Sequence, residues 1–133
     1  MISENIASNI PLTVLCVDDE VNILKSMKRL LHKQGYQLLL AESGLKALEI
    51  IQQQKVHLVI SDMRMPNMSG DKLLENIATL SPDTYRVLLT GYSDIKSTIV
   101  AGNKGKIHRY ISKPWDNKEI IKTIENALEN VRV

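Results

Sequence analysis

Short apolar segments alternate along the chain with stretches of helical spacing. Five segments are almost continuously apolar, without strict alternation of polar and apolar residues, which is typical of strands buried on both faces. These predicted strands are 12–17, 36–41, 57–61, 85–90 and 107–112. The pattern therefore predicts a sheet that is covered on both sides.

Between the strands, apolar residues recur every three or four positions, as they do on the buried face of a helix. The predicted faces comprise Ile23, Leu24, Met27, Leu30 and Leu31; Leu45, Leu48 and Ile51; Leu73, Leu74, Ile77 and Leu80; and Ile120, Ile121, Ile124, Leu128 and Val131. A fifth and weaker helix is predicted within 95–105, because Gly102-Asn103-Lys104-Gly105 ends it early. Alternating strands and helices require parallel pairing through right-handed crossovers. We therefore predict an α/β fold, a doubly wound five-stranded parallel sheet with helices on both faces.

Composition limits the class of protein. The chain has 133 residues, 44% hydrophobic and 24% charged, which is typical of one globular domain. We expect a flexible N-terminal tail at 1–11 and a domain at 12–133. A net charge of +2, from scattered basic residues, argues against nucleic acid or a membrane surface as a partner. The absence of a long apolar run and of a secretion signal predicts a cytoplasmic location, and Cys16 is predicted to be buried.

Polar residues follow four of the five predicted strands. Ligands of such sheets bind beyond the carboxyl ends of the strands. The groups there are Asp18, Asp19 and Glu20 after the first strand, Asp62 after the third, Thr90 and Gly91 after the fourth, and Lys113 with Pro114 after the fifth. Singly, the aspartates are equally consistent with helix caps or turns. Together they predict an anion-and-metal site, because clustered carboxylates need cations, and Mg²⁺ (or Mn²⁺) suits carboxylate and phosphate oxygens.

Four motifs in order carry a resemblance to a known family. They read Val17-Asp18-Asp19-Glu20; Ser61-Asp62-Met63-Arg64-Met65-Pro66 with Gly70; Leu89-Thr90-Gly91; and Tyr110-Ile111-Ser112-Lys113-Pro114. Over about residues 12 to 131 the chain resembles the response-regulator receivers of two-component signalling. The resemblance implies the flavodoxin-like (βα)5 receiver fold. It also implies a phosphoacceptor switch in a phosphorelay, served by a sensor histidine kinase or a phosphotransfer protein.

The resemblance also implies a role for each motif residue. Asp62 would be the phosphoacceptor, and the metal ligands would be Asp62, Asp19 and the backbone carbonyl of Arg64, with Asp18 acting largely through water. Lys113 and Thr90 would each bind a phosphoryl oxygen. Arg64, Gly91 and Tyr92 would modulate the lifetime of the acyl phosphate. The chain would catalyse its own phosphorylation and dephosphorylation and have no separate turnover substrate.

The switch and its output follow from the same resemblance. A phosphoryl group adds about −1.5 to −2 charge, Thr90 moves toward it, and Tyr110 turns inward, although Tyr110 alone would read as an ordinary half-buried strand tyrosine. The face formed by the fourth helix, fifth strand and fifth helix then changes and controls an output domain or partner. A homodimer on phosphorylation is also compatible with the family.

The segment from Gly105 to Asp116, in which Trp115 follows Lys113-Pro114, resembles a subgroup whose members are often joined to further domains. Cyclic-di-GMP phosphodiesterases of the HD-GYP type are among them. Trp115 is open to two interpretations, a partner anchor or simple packing at the start of the last helix. The apolar stripe of that helix favours a continuing coiled-coil linker to a C-terminal output domain.

Two other functions remain open at this point. A Mg²⁺-dependent phosphohydrolase of the haloacid dehalogenase type also uses an aspartyl nucleophile, but that family expects an aspartate at the position of Arg64. A receiver-like binding module that is never phosphorylated usually lacks one of the acidic pair, the acceptor or the lysine. All of these are present here.

Overall fold

A computed structural model describes the backbone of residues 12–100 and 102–132, and their side chains except those of 92 and 130–132. Strands and helices alternate as predicted. The strands are β1 (Thr13–Val17), β2 (Gln37–Ala41), β3 (Leu58–Asp62), β4 (Tyr85–Thr90) and β5 (Arg109–Ser112). The helices are α1 (Val21–Leu31), α2 (Gly44–Gln53), α3 (Gly70–Leu80), α4 (Tyr92–Val100) and α5 (Asn117–Arg132).

The five strands form one parallel sheet in the order β2-β1-β3-β4-β5, which confirms the predicted fold class. The chain steps from β1 outward to β2 and then returns across β1 to β3. This reversal of winding opens a crevice beyond the carboxyl ends of β1 and β3. In the register of these strands Val17 lies opposite Ser61, so the residues that follow each of them, Asp18 and Asp62, reach the same edge.

Successive strand residues point to opposite faces of the sheet, and each face has its own core. On one face Val14, Cys16 and Ile60 pack with residues of α1 and α5. On the other, Leu15 and Val59 pack with residues of α2 and α3. Burial raises the pKa of the Cys16 thiol to about 12, as expected of a small core side chain.

The element bounds differ from the sequence prediction in a few places. β3 ends on Asp62 itself, so the acidic side chain belongs to the last strand residue. The weak fourth helix runs over Tyr92–Val100, earlier than 95–105, and Gly102 follows it with φ +99°. The tail at 1–11 and the side chain of Val131 lie outside the described residues.

Two leucines predicted to face the core are exposed, and that prediction was wrong. Leu45 is 67% exposed and Leu80 is 50% exposed. In α2 the inward positions are Gly44, Ala47 and Ile51, and Leu45 is rotated away from them by one residue. Leu80 is the last residue of α3, where the helix ends.

Candidate functional site

Three carboxylates meet at the carboxyl edge of the sheet. One oxygen each of Asp18, Asp19 and Asp62 lies within 4.8 Å of the others. Asp18 and Asp62 are buried, at 3% and 5% exposure, whereas Asp19 is exposed. The sequence prediction brought these residues together correctly, and three carboxylates at this spacing suit a hard divalent cation.

The electrostatics of Asp18 suit a site that binds a cation. Its pKa is raised to about 6, chiefly by burial and further by the charges of Asp62 and Asp19, while a hydrogen bond from the Glu20 amide and the charge of Lys113 oppose the shift. The Glu20 amide donates to Oδ1 at 2.9 Å. Oδ2 is buried and has no hydrogen-bond partner among the described residues. A buried carboxylate oxygen is costly without a partner, so this atom fits direct or water-mediated contact with a metal ion.

Lys113 brings a positive charge to this edge of the sheet. Its Nζ contacts Asp62 Oδ1 as a hydrogen-bonded ion pair, with the Asp62 side chain 7% exposed and that of Lys113 37% exposed. The Lys113 amide also donates to the Thr90 carbonyl at 3.0 Å, which fixes the start of the β5–α5 loop against β4. The Lys113–Pro114 peptide bond is cis.

Thr90 is the last residue of β4 and is 1% exposed. Its Oγ1 is buried without a hydrogen-bond partner in the described part of the chain. A hydroxyl in this condition is available to donate to an anion that binds nearby. Gly91 follows, and a Cβ added there would meet nothing within 4 Å, so this side of the site is sterically open.

The β3–α3 loop is built around Gly70. A Cβ on this glycine would lie 2.0 Å from the Asp62 carbonyl oxygen, which excludes any larger residue without a shift of backbone. The Gly70 amide donates to the Met63 carbonyl at 2.7 Å, and the Ser61 hydroxyl donates to the Asp62 carbonyl at 2.9 Å. The close packing of Gly70 therefore fixes the position of the Asp62 backbone.

The Arg64 side chain points to α4. It donates from Nε and a terminal nitrogen to the two carboxylate oxygens of Asp94, at 3.0 and 2.8 Å. Sequence reasoning missed Asp94, because it lies 30 residues after Arg64 and belongs to none of the four motifs. The side chain of Tyr92, predicted to flank the site together with Arg64, lies outside the described residues.

Tyr110 lies half-buried on β5, and its hydroxyl donates to Asn103 Oδ1 at 3.1 Å. Burial raises the pKa of Tyr110, and the charge of Asp71 adds to the shift. Sequence reasoning used Asn103 only as part of a segment that ends a helix, and therefore missed its contact with Tyr110. Polar loop residues give no sequence signal for such a contact.

Trp115 is half-buried and packs against the core on the α1 side, which supports the packing interpretation. It also borders an open cleft of about 490 Å³. The other residues that line this cleft are Ser26, Met27, Arg29, Leu30 and Asn117.

Comparisons with known proteins identify the family. The family model described as the response regulator receiver domain matches residues 14–125. The crystal structure of an uncharacterised protein from Neptuniibacter caesariensis is 46% identical, with TM-score 0.82, covering 89% of this chain and 87% of that one. The signal receiver domain of an HD domain-containing protein from Pseudomonas fluorescens Pf-5 is 39% identical, with TM-score 0.83, covering 90% and 88%.

A curated relative, the hydrogenase transcriptional regulatory protein HoxA of Bradyrhizobium diazoefficiens, is 31% identical over 121 residues, which is 91% of this chain and 25% of the relative. The chain spans about a quarter of the length of the first curated relatives it matches. The chain belongs to the receiver domains of two-component response regulators, a family of phosphoacceptor switches. Among the described helices, none has the length and apolar character needed to cross a bilayer.

Proposed function

We propose that Asp62 is the phosphoacceptor of this receiver domain and takes a phosphoryl group from a histidine kinase or a phosphotransfer protein. The observation that carries the proposal is the position of Asp62 at the reversal of winding, within 4.8 Å of Asp18 and Asp19 and paired with Lys113. Phosphoryl transfer requires mainly alignment and neutralisation of charge on the transferred group. The described residues supply the nucleophile, one fixed cation and a set of metal ligands.

In this proposal a carboxylate oxygen of Asp62 forms a bond to phosphorus while the bond from phosphorus to the donor nitrogen breaks. The electron pair of that bond stays with the departing imidazole, and the product is an acyl phosphate. The ammonium of Lys113 and the hydroxyl of Thr90 bind phosphoryl oxygens. Hydrolysis of the acyl phosphate by water returns the domain to its starting state, so no separate turnover substrate is needed.

Mg²⁺ (or Mn²⁺) would be held by Asp19, Asp62 and the backbone carbonyl of Arg64, with Asp18 acting largely through water. When bound, the metal would neutralise negative charge between the acidic cluster and the phosphate. The partnerless Oδ2 of Asp18 supports this assignment.

The output of the switch is also proposed. Thr90 and Tyr110 would move together on phosphorylation, and the face formed by α4, β5 and α5 would then bind an output domain or partner, or a second copy of the chain. The resemblance of the segment from Gly105 to Asp116 to a subgroup joined to HD-GYP domains makes a cyclic-di-GMP phosphodiesterase one candidate output, and one similar solved structure is the receiver domain of an HD domain-containing protein. Residues 12–133 would act as the receiver unit, in the cytoplasm.

The test is incubation with acetyl phosphate and Mg²⁺, followed by intact mass spectrometry. One added phosphoryl group is expected, labile to hydroxylamine, absent in Asp62→Asn and retained in the matched control Asp83→Asn, whose side chain is exposed and remote from the motifs. No phosphorylation from acetyl phosphate or a phosphorylated kinase would favour the unphosphorylated binding module. Multiple turnover on phosphate esters would favour the phosphohydrolase.

A further inference from the structure

The loop between α4 and β5 has an unusual backbone. Three of its residues have positive φ, namely Gly102 at +99°, Asn103 at +49° and Lys106 at +46°. Glycine and asparagine tolerate the left-handed region, whereas for lysine it is unfavourable. Side-chain contacts to this loop therefore help to hold its conformation.

Arg86 of β4 provides one set of these contacts. Its Nε donates to the carbonyls of Gly105 and Lys106 at 3.2 and 3.3 Å. Another of its nitrogens donates to the carbonyls of Pro82 and Thr84 at 3.1 and 2.9 Å. Because Arg86 is only 4% exposed, the loop is fixed to the interior of the sheet.

Asn103 provides the second set and extends it to Tyr110. Its Oδ1 accepts from the Ile107 amide at 2.9 Å and from the Tyr110 hydroxyl at 3.1 Å, and its Nδ2 donates to the Ile107 carbonyl at 3.4 Å. An amide side chain offers an acceptor with two lone pairs beside a donor. Asn103 therefore closes the loop and binds the tyrosine hydroxyl with the same group.

The hydrogen bond between Tyr110 and Asn103 points along the sheet away from Thr90. In the register of β4 and β5, Tyr110 lies opposite Leu88, whereas Thr90 lies opposite Ser112, toward the carboxyl edge. Asn103 precedes β5 and so lies toward the other end of the strand. Rotation of the Tyr110 ring toward Thr90 would take its hydroxyl away from Asn103 and break the hydrogen bond.

From this geometry we infer that Asn103 is a positioning residue of the switch, which holds Tyr110 away from Thr90 and sets how readily the domain changes state. The inference rests on the proposed function of Thr90 and Tyr110. One neutral hydrogen bond changes a two-state equilibrium by about fivefold. By linkage, a phosphoryl mimic that favours the switched state binds more tightly by the same factor when that bond is removed.

The test is a double-mutant cycle on the affinity for beryllium fluoride, a phosphoryl mimic, in the presence of Mg²⁺. Tyr110→Phe removes the hydroxyl and keeps the ring, and Asn103→Gly removes the amide while tolerating the positive φ. Each single variant is expected to bind about fivefold more tightly than the unmodified chain, and the double variant no more tightly than either. Asn103→Asp keeps the acceptor oxygen and should keep the coupling to Tyr110.

Two further measurements separate this role from loop stability. The ring resonances of ¹³C-labelled Tyr110 in Asn103→Gly should move toward their positions in the beryllium fluoride complex before the mimic is added. Tyr85→Phe, which alters a half-buried strand tyrosine outside this network, should leave the affinity unchanged.

Additive effects of the two single variants, or no effect of Tyr110→Phe, would overturn the role of Asn103 while leaving the proposed function intact. Failure of the unmodified chain to bind beryllium fluoride would overturn both.

Discussion

At the scale of single residues, the proposed acceptor Asp62 depends on a neighbour, Gly70, that has no side chain. Gly70 lies against the carbonyl of Asp62, and any Cβ there would come within 2.0 Å of that oxygen. Displacing this backbone would move the Asp62 carboxylate relative to Lys113 and the other aspartates. Positioning errors of about 1 Å are enough to slow a reaction by about 100-fold.

We therefore expect Gly70→Ala to reduce the initial rate of phosphorylation by acetyl phosphate by at least about tenfold, and to lower the free energy of unfolding by about 1–3 kcal/mol through overpacking. Gly44→Ala is the matched control, because the three atoms nearest to its Cβ all belong to the side chain of Met68 and not to backbone. Intact mass against time and urea denaturation measure the two quantities. Equal phosphorylation rates in both variants would show that Gly70 does not position the acceptor.

The sequence predicted the residues of the site better than their contacts. Asp18, Asp62 and Lys113 could be grouped because strand ends in a parallel sheet share one edge, so their order along the chain predicts their place in space. Asp94 and Asn103 could not be found in this way. They lie on a helix and a loop whose approach to Arg64 and Tyr110 is decided by packing.

At the scale of elements, the Arg64–Asp94 pair links the β3–α3 loop to the first turn of α4. The pair is bidentate and charge-assisted, and Asp94 also lies favourably at the positive end of the helix dipole. Its strength is limited because the Arg64 side chain is 81% exposed. The link nevertheless joins the loop that follows the proposed acceptor Asp62 to the helix that follows Thr90 and Gly91.

A double-mutant cycle with Arg64→Ala and Asp94→Ala should give a coupling energy of about 0.5–1 kcal/mol in urea denaturation at low salt, decreasing at high salt. Breaking the pair frees the first turn of α4, so the acyl-phosphate half-life is expected to change by about two- to fivefold in either single variant. The swapped pair Arg64→Glu with Asp94→Arg should bring the half-life part of the way back to that of the unmodified chain. Lys72 and Glu75, an ion pair within α3, give the control, since breaking that pair should leave the half-life unchanged.

Helix α4 also shows the limit of periodicity. Ile99 and Val100 of this helix are 56% and 80% exposed, so apolar spacing gives a weak signal for it. The sequence located its end through Gly102 but misplaced its start. Helices with a full buried face, such as α5 with Ile120 and Ile124, were predicted closely.

At the scale of the whole molecule, the two ends of the sheet carry different titratable groups. The carboxyl edge gathers the aspartates, whereas the amino edge carries Arg86, His57 and His108. Nδ1 of His57 accepts from the Thr13 amide, and Nδ1 of His108 accepts from the Arg86 amide, each at 3.0 Å. Both rings must be neutral to accept these bonds. The sequence gives no signal for this shared role, because strand register decides which amide each histidine ring meets.

Burial and the nearby charge of Lys55 lower the pKa of His57, while burial and Arg86 lower that of His108. The unfolded chain therefore binds more protons below the ordinary histidine pKa of about 6.5, and stability is lost as the pH falls through that value. Asp18 acts in the opposite sense. Its folded-state pKa of about 6 lies above the ordinary aspartate value of 3.8, so without metal its contribution to stability falls as the pH rises through this range.

The two effects can be separated by measuring the free energy of unfolding between pH 5 and 7.5 in an Asp18→Asn background. In that background stability should rise with pH, and the slope should become smaller in His57→Phe and again in His57→Phe with His108→Phe. His32→Phe is the control, because that ring is exposed at the end of α1. If the slope persists without His57 and His108, the amino edge is not what makes folding sensitive to acid.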